Sequence, residues 1–335
     1  MLKNPKRATS YDVAKLAGVS QSAVSRVFKD GASASEAMRR RVLEAAQEVG
    51  YRPNAIARGL ITQRSHMVGV IISRMTNLNY PEVLVELTNA FSAHGIRVLL
   101  FTIERESDTA DVLDQLLQYQ VDGVVTAAML SPSQMELLSN AKIPVVFYNR
   151  SPKDGSVCAV RCDQEEGERW LVDQLVAAGH ERFAIISGPT DSAVSVERTM
   201  GAVKRLADLG LAQPIVITGD YSYDSGRVGL QQLLDAGTTP DAVIAANDTM
   251  AIGCIDEARA QGVDVPADLS VVGFDGIGPA QFMAYELTTV QQPVERMTHA
   301  TVEMLLERIE DNSISPEERV FAGLKVSGTS ARLIK

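Results

Sequence analysis

Apolar residues recur at helical spacing in three separate runs within the first fifty residues. Each run follows a polar residue that can cap a helix: Thr9 or Ser10, Ser20, and Ser33 or Ser35. The inward residues of the three predicted helices are Val13, Leu16 and Ala17, then Ala23, Val24 and Val27, then Met38, Val42, Leu43, Ala46 and Val49. Gly18 follows the first run, where a glycine can end a helix by adopting a positive φ. Two short helices joined by such a turn form a helix-turn-helix.

The second predicted helix carries polar and basic residues on its outward side, namely Gln21, Ser22, Ser25, Arg26 and Lys29. In a helix-turn-helix this helix enters the major groove of DNA. Gln and Ser can read base edges there, and Arg and Lys can contact phosphate or guanine. The pattern therefore predicts DNA binding, with a small helical bundle that merely packs as the alternative.

A short apolar segment follows Pro53, with the sequence N-A-I-A-R-G-L-I from Asn54 to Ile61. A helix of this length, weakened further by Gly59, is not stable alone in water. Its apolar side chains have no place in the core of the three predicted helices. Insertion into the DNA minor groove as an apolar wedge would bury them, and a plain linker is the alternative.

From His66 onward, short apolar runs alternate with helical stretches. The first run, M-V-G-V-I-I-S, is continuous, which is typical of a parallel strand buried on both faces. The alternation restarts near Glu165, and this predicts an α/β core of two doubly wound parallel-sheet lobes with a cleft between them. A long amphipathic helix, Pro293–Ile309, and the segment F-A-G-L-K-V-S-G-T-S would have to cross back between the lobes.

The net charge of −10 is divided unevenly along the chain. Residues 1–66 carry 12 Lys and Arg against 5 Asp and Glu, a net charge of +7. Residues 67–335 carry 20 against 37, a net charge of −17. This division favours a DNA-binding module joined to a separate regulatory domain, because an acidic body is repelled from DNA.

The composition excludes several other classes of protein. No apolar run approaches the ~20 residues of a membrane span, and no secretory signal is visible, so we expect a cytoplasmic protein without a membrane partner. The odd number and wide spacing of the three cysteines, Cys158, Cys162 and Cys254, argue against a disulfide framework. No nearby His or Cys completes a metal-ligand set with Cys158 and Cys162, so buried strand thiols are expected there. The chain has no phosphate-binding glycine motif and no histidine cluster, so an α/β enzyme is a weak alternative and no cofactor is expected.

Residues 8–64 resemble the DNA-binding head and hinge of the LacI/GalR family of bacterial repressors. The matching stretches are Y-D-V-A-K-L-A-G-V-S, V-S-R-V and G-Y-R-P-N-A-I-A-R-G-L. The resemblance implies that Asn54 begins a hinge helix, that Leu60 intercalates at the centre of a palindromic operator, and that Gln21 and Ser22 read bases. The predicted DNA-binding residues are Thr9, Tyr11, Ser20, Gln21, Ser22, Ser25, Arg26, Asn54, Ala57, Arg58 and Leu60.

Polar residues collect at the carboxyl ends of the predicted strands, where ligands bind in open α/β sheets. The region after His66 resembles the periplasmic-binding-protein-like core of the same family. Matching motifs imply ligand contacts: S-V-E-R-T-M-G for Arg198, A-A-N-D for Asn247, G-F-D for Asp275, T-T-V-Q-Q-P for Gln292, G-D-Y-S for Tyr221 and, more loosely, T-N-L-N-Y for Tyr80. The predicted effector-binding residues are Ser73, Tyr80, Ala127, Asn149, Arg198, Tyr221, Asn247, Asp275 and Gln292.

Each of these residues has a structural alternative. Asn247 and Asp275 can cap a helix or form a turn, Tyr221 can pack within its own lobe, and Arg198 can lie in a surface ion pair. Three arginines are expected to bring positive charge near the predicted cleft, namely Arg74, Arg150 and Arg198. Together they favour an effector with an anionic group, such as a sugar acid or a sugar phosphate.

The predicted domains are a helix-turn-helix head (1–53), a hinge helix or linker (54–65) and a core for effector binding and dimerisation (66–335). Within the core, lobe 1 comprises about 66–162 and 294–321, and lobe 2 comprises about 163–291 and 322–335. We expect a DNA-binding transcriptional repressor controlled by a small sugar-like effector; a sugar-binding protein or an enzyme without a DNA role is the alternative. Tetrameric family members carry an extra C-terminal apolar helix, which is not seen before Lys335, so we expect a homodimer.

Overall fold

The computed structural model describes residues 8–28, 33–52, 64–73, 77–105, 108–152 and 155–334. The chain divides into two compact units, Met1–Ser65 and His66–Lys335. The predicted boundary between head and hinge and the hinge helix fall outside the described residues and stay predictions. No helix in the described part of the chain is long and apolar enough to cross a bilayer.

The described part of the first unit contains three short helices, α1 (Ser10–Ala17), α2 (Gln21–Val27) and α3 (Glu36–Glu48). Their caps are Thr9, Ser20 and Ser35, and each cap side chain accepts a hydrogen bond from a backbone N–H three residues ahead. Gly18 ends α1 with a φ of 64°, as its position in the sequence predicts.

The core of this unit is built from small side chains: Val13, Ala14, Ala17, Val24, Val27, Val42, Ala45 and Ala46. The prediction that Leu16 and Leu43 face inward is wrong, since they are 46% and 44% exposed. Ala14 and Ala45 take the inward positions instead. Short side chains there allow three short helices to approach closely.

Lobe 1 of the second unit contains a parallel sheet with strand order β11-β5-β4-β3-β1-β2. The strands are β1 (Met67–Ser73), β2 (Arg97–Ile103), β3 (Gly123–Thr126), β4 (Val145–Tyr148), β5 (Cys158–Cys162) and β11 (Glu318–Phe321). The helices between the first strands are α4 (Tyr80–Ala93), α5 (Ala110–Tyr119) and α6 (Pro132–Asn140).

Lobe 2 contains a second sheet with strand order β12-β10-β9-β8-β6-β7, parallel except that β12 runs antiparallel to β10. The strands are β6 (Phe183–Ser187), β7 (Ile215–Thr218), β8 (Ala242–Ala245), β9 (Ser270–Asp275), β10 (Thr288–Gln291) and β12 (Leu324–Val326). Its helices are α7 (Gln164–Ala177), α8 (Ala193–Asp208), α9 (Tyr223–Asp235) and α10 (Asp248–Ala260).

The chain crosses between the lobes three times, after Cys162, after Gln291 and after Phe321. The long helix α11 (Val294–Glu310) follows β10 of lobe 2 but packs on α4 and on the sheet of lobe 1. The prediction of two parallel-sheet lobes is confirmed. The crossings place polar residues from both lobes beside one another at the carboxyl ends of the strands.

Candidate functional site

The outer face of α2 is a row of exposed polar side chains. Gln21, Ser22, Ser25 and Arg26 are exposed, and the intervening Ala23, Val24 and Val27 are buried. Gln21 Nε2 donates to Ser10 Oγ at 3.3 Å, a surface contact that DNA can replace. The residues predicted to read DNA therefore stand apart from the residues that hold the helix in place.

Two further predicted DNA contacts begin the helices of this unit. Thr9 caps α1 in a reciprocal pair with Asp12, and Ser20 caps α2 while its hydroxyl lies 2.9 Å from that of Ser22. Tyr11 is 72% exposed. The remaining predicted DNA contacts lie outside the described residues, namely Asn54, Ala57, Arg58 and Leu60.

A buried polar cavity lies between the lobes, at the carboxyl ends of β1, β4 and β9. Seven of the nine predicted effector-binding residues line it, namely Ser73, Tyr80, Asn149, Arg198, Tyr221, Asp275 and Gln292. The lobes are closed upon it, and the remaining space is about 20 Å³. This is room for about one water molecule, so any larger molecule must separate the lobes or displace side chains.

Arg198, on α8, is the central donor of the cavity wall. Its guanidinium donates to Gln164 Oε1 at 2.7 Å, to the carbonyl oxygen of Ala246 at 2.5 Å and to Asp275 Oδ1 at 2.7 Å. It also lies 3.8 Å above the ring of Phe274. The pair with Asp275 is buried, so the alternative of a weak surface ion pair does not describe it.

Asp275 also contacts a residue of lobe 1 and a residue that follows β10, where the chain leaves lobe 2. Gln292 Nε2 donates to its Oδ1 at 2.6 Å, and Asn77 Nδ2, from lobe 1, donates to its Oδ2 at 3.3 Å. Asn149 extends the network, because it donates to Gln292 Oε1 at 3.0 Å and accepts from Gln164 Nε2 at 2.9 Å. The cavity wall is thus one hydrogen-bonded system that spans both lobes.

Three of the cavity residues hold a positive φ although none is glycine: Asn149 (53°), Tyr221 (70°) and Asp275 (113°). Such conformations cost on the order of 1–3 kcal/mol each and concentrate at functional sites. Here each one turns a side chain at the end of a strand towards the cavity. The strain supports the assignment of this cavity as the binding site of the second unit.

Asp248 fixes the turn that carries Asp275. Its carboxyl oxygens accept from the backbone N–H groups of Gly276 at 2.6 Å and Ile277 at 2.9 Å, and from Thr289 Oγ1 at 2.6 Å. Burial raises the pKa of Asp248 to about 8, and the three donors act in the opposite direction. Only glycine fits at position 276, where φ is 73° and a Cβ would lie 2.3 Å from Gln291 Cβ.

Two predicted effector-binding residues do not reach the cavity. Ala127 packs in the apolar core of lobe 1. Asn247 caps α10, where its Oδ1 accepts from the backbone N–H of Met250 at 2.9 Å and its Nδ2 donates to the carbonyl oxygen of Tyr221 at 3.2 Å. The capping alternative therefore describes Asn247, which supports the cavity only through Tyr221.

Of the two other arginines predicted near the cavity, the structure describes only one. Arg74 lies outside the described residues. Arg150 lines the cavity, is buried and donates to the carbonyl oxygen of Asn149 at 2.9 Å. The described wall therefore combines two guanidinium groups with the carboxylate of Asp275.

The sequence did not indicate several cavity residues, namely Asn77, Asn79, Tyr148 and Val194. Tyr148 is the clearest case, because its hydroxyl is buried without a partner among the described residues. Burial raises the pKa of Tyr148, so the phenol stays a neutral donor. Alternation along a strand would place Tyr148 and Asn149 on opposite faces, but Asn149 follows the strand with a positive φ, and both residues line the cavity.

Both units of the chain match known protein families. Residues 9–54 match the family model "Bacterial regulatory proteins, lacI family", and residues 172–330 match "Periplasmic binding protein-like domain". The chain is 33% identical over 319 residues to the HTH-type transcriptional repressor PurR of Vibrio atlanticus (strain LGP32), which covers 94% of this chain and 95% of that protein.

Two solved structures resemble the chain over nearly its whole length. The lac repressor dimer bound to operator and the anti-inducer ONPF has a TM-score of 0.87 and 28% identity, covering 97% of this chain and 99% of that one. The complex of the transcriptional regulator CelR with cellobiose has a TM-score of 0.73 and 30% identity, covering 97% of this chain and 100% of that one. The chain therefore belongs to the LacI family of bacterial regulatory proteins, and it is a DNA-binding transcriptional regulator rather than an enzyme.

Proposed function

We propose that the protein is a dimeric repressor that binds a near-palindromic operator and responds to a small sugar-like molecule in the cavity between its lobes. The observation that carries the proposal is the convergence of seven predicted contact residues on one cavity. The solved lac repressor and CelR complexes, which hold ONPF and cellobiose, add support.

The DNA-binding surface is the outer face of α2, extended by Thr9, Tyr11 and the segment 54–62. Gln21 and Ser22 read base edges, and Arg26 contacts phosphate or guanine. In a dimer, two copies of α2 enter successive major grooves, and two copies of Leu60 enter the minor groove at the centre of the operator. Asn54 begins the short helix that carries Ala57, Arg58 and Leu60.

The effector is a sugar that carries an anionic group, such as a sugar acid or a sugar phosphate. Arg150 and Arg198 bring two guanidinium groups to the cavity wall, and a guanidinium group can hold an anionic group through two parallel hydrogen bonds. Asp275, Asn149 and Gln292 can bind ligand hydroxyl groups, and Tyr221 supplies an apolar ring face. Ser73 and Tyr80 complete the wall on the side of lobe 1.

Effector binding rearranges the lobes or the side chains of the cavity wall, because the closed cavity holds no more than about one water molecule. This rearrangement biases the order of the hinge segment and thereby the affinity for the operator. The coupling is reciprocal: operator DNA changes the effector affinity by the same factor.

The dimer interface includes an exposed apolar surface on lobe 2, next to α10. Met283 is 93% exposed and its neighbour in sequence, Phe282, is 59% exposed and lines a surface groove together with Tyr223 and Tyr285. Both tyrosine hydroxyls donate to Asp256 Oδ2, at 2.9 and 3.0 Å, which holds their rings in place. An exposed apolar surface held rigidly in this way suits a second copy of the chain. Sedimentation of Met283→Asp should report a monomer, and a dimer of unchanged stability would remove this surface from the interface.

A gel-shift assay with the DNA upstream of the gene for this protein tests the DNA role. Retardation that is altered by an acidic sugar supports the whole proposal. Calorimetry on the full chain with paired neutral and acidic sugars tests the effector class separately. A preference for the neutral member of each pair contradicts the anionic effector and leaves the DNA role intact.

A further inference from the structure

Glu168 is a buried carboxyl group that the proposed function of the cavity does not use. It lies on α7, one helical turn after Gln164, and only 1% of its surface is exposed. Neither carboxyl oxygen has a hydrogen-bond partner in the described part of the chain. A buried polar group without a partner costs free energy, and Glu168 is a side chain of the described residues in which both carboxyl oxygens lack one.

Glu168 packs against the turn of α8 that carries Arg198. A Cβ on Gly201, three residues after Arg198, would lie 3.4 Å from Glu168 Cβ. Gln164, on the same face of α7, accepts from Arg198 Nε at 2.7 Å. The helix α7 therefore presents an amide and a carboxyl group, one turn apart, to the side of α8 that carries this guanidinium.

Two charged side chains act on Glu168, namely Arg198 from α8 and Asp275 from β9. The strand β10 faces the neighbouring Gly167 with Val290, which does not titrate. Burial raises the pKa of Glu168 to about 8, while Arg198 lowers it and Asp275 raises it further. The protonated acid therefore dominates at neutral pH, and it leaves Arg198 paired with Asp275.

We propose that Glu168 is a proton-controlled competitor for Arg198: when it releases its proton to solvent, its carboxylate draws the guanidinium away from Asp275. Asp275 accepts the hydrogen bond of Asn77 across the cavity, and Gln292 bonds to the same carboxylate. Weakening of the Arg198–Asp275 pair frees this carboxylate to move and loosens its bond to Asn77. The lobes therefore separate more readily at alkaline pH.

The same ionisation lowers the stability of the fold. The pKa of Glu168 rises from 4.5 to about 8 on folding. Its contribution to the free energy of unfolding is therefore complete below pH 4.5 and is lost as the pH rises through about 8. The urea midpoints of the wild type and Glu168→Gln should diverge over this range, with the variant more stable at the alkaline end.

Nuclear magnetic resonance of the full chain tests the proposal on three groups. With glutamate labelled at its carboxyl carbon, the Glu168 signal should titrate with a midpoint near 8, apart from the signals of exposed glutamates. The Arg198 Nε–H and Asn77 Nδ2 signals should shift with the same midpoint. Both shifts should vanish in Glu168→Gln and persist in Glu165→Gln, a matched control on the exposed side of α7.

Three results would overturn the proposal. The first is a Glu168 carboxyl signal that titrates in the ordinary acidic range. The second is ionisation of Glu168 near pH 8 without any movement of the Arg198 and Asn77 signals. The third is persistence of both shifts in Glu168→Gln. The first two use the wild-type protein, so they decide the matter even if the variant does not fold.

Discussion

The outer face of α2 and the cavity between the lobes are both candidate binding surfaces, but they are built in opposite ways. On α2 the predicted contact residues are exposed, and different, apolar residues hold the helix in place. In the cavity the predicted contact residues Arg198, Asp275 and Gln292 form hydrogen bonds within the wall and are themselves part of the fold. Binding and stability are therefore separable in the first region and joined in the second.

This difference follows from what each surface must bind. A DNA groove is large and highly charged, and an exposed row of side chains on a rigid helix suffices to reach it. A small polar molecule is bound in an enclosed pocket, so the side chains that contact it are buried. Buried polar side chains need hydrogen-bond partners within the protein while the molecule is not bound. The Arg198–Asp275 pair meets this need within the closed lobes.

The largest expected effect is that of removing Arg198. It tests whether the same cavity residues serve both effector binding and the stability of the fold. Arg198→Ala should lower the free energy of unfolding by about 3–5 kcal/mol, because it leaves Asp275 buried without its counter-ion. It should also abolish the effector response while operator binding is kept under conditions where the variant is folded. Urea unfolding measures the first effect, and a gel shift with effector measures the second.

The matched control is Arg26→Ala on the exposed face of α2. This change should alter the free energy of unfolding by no more than about 0.5 kcal/mol. The double variant Arg198→Ala with Asp275→Ala should recover part of the lost stability, because no charge is left unpaired. If Arg198→Ala and Arg26→Ala lowered the free energy of unfolding equally, the cavity would be no more important for stability than the outer face of α2.

The next prediction concerns the hinge segment, which belongs neither to the outer face of α2 nor to the cavity between the lobes. Leu60→Ala should reduce specific operator affinity by on the order of tenfold to a hundredfold, about 1.4–2.8 kcal/mol, since the apolar wedge is lost. The effector affinity of the second unit should stay nearly unchanged. Fluorescence anisotropy with labelled operator measures the loss, and intact operator affinity would show that Leu60 is not a wedge.

Local sequence signals explain why much of the fold could be predicted. The caps Thr9, Ser20 and Ser35 act within one turn of their own helix, and the apolar runs of the strands need only be buried on both faces. Family motifs predict both Arg198 and Asp275 as ligand contacts, and Asp275 also stands at the end of a predicted strand. Their bond to each other was not predicted, because it depends on how α8 lies against β9.

The errors also have physical causes. Ala14 and Leu16 flank the buried stripe of Val13 and Ala17 on opposite sides, so which of the two is buried is decided by how the helices pack. Asn247 stands at a strand end and also at a helix start, and capping determines its contacts. Glu168 lies in a helix, and only the packing of α7 on α8 brings it near Arg198.

Substitution of Gln21 tests directly whether DNA binding by α2 can be changed without a change in the stability of the fold. Gln21→Ala should cost about 1–3 kcal/mol of discrimination between the operator and a variant base pair, because Gln reads base edges. The free energy of unfolding should change by no more than about 0.5 kcal/mol, since Gln21 is exposed and its bond to Ser10 is on the surface. Competition binding with single-base operator variants measures the first quantity. A uniform loss over all operators would assign Gln21 to the DNA backbone instead.

The smallest expected effect concerns His180, a buried polar group of lobe 2 that lies outside the cavity. Its Nδ1 is 2.7 Å from the carbonyl oxygen of Leu175 and must donate, so Nε2 accepts from Ser270 Oγ at 2.8 Å. Burial lowers the pKa of His180, which favours the neutral ring in the folded state.

The stabilising contribution of neutral His180 is therefore present above pH 6.5 and is lost as the pH falls through the lowered folded pKa. One proton is involved, so the slope cannot exceed about 1.4 kcal/mol per pH unit. Urea unfolding across this range should show a shallower acid loss in His180→Asn than in the wild type, with the exposed His94→Asn as control. An acid loss in His180→Asn as steep as in the wild type would assign the acid sensitivity to other groups.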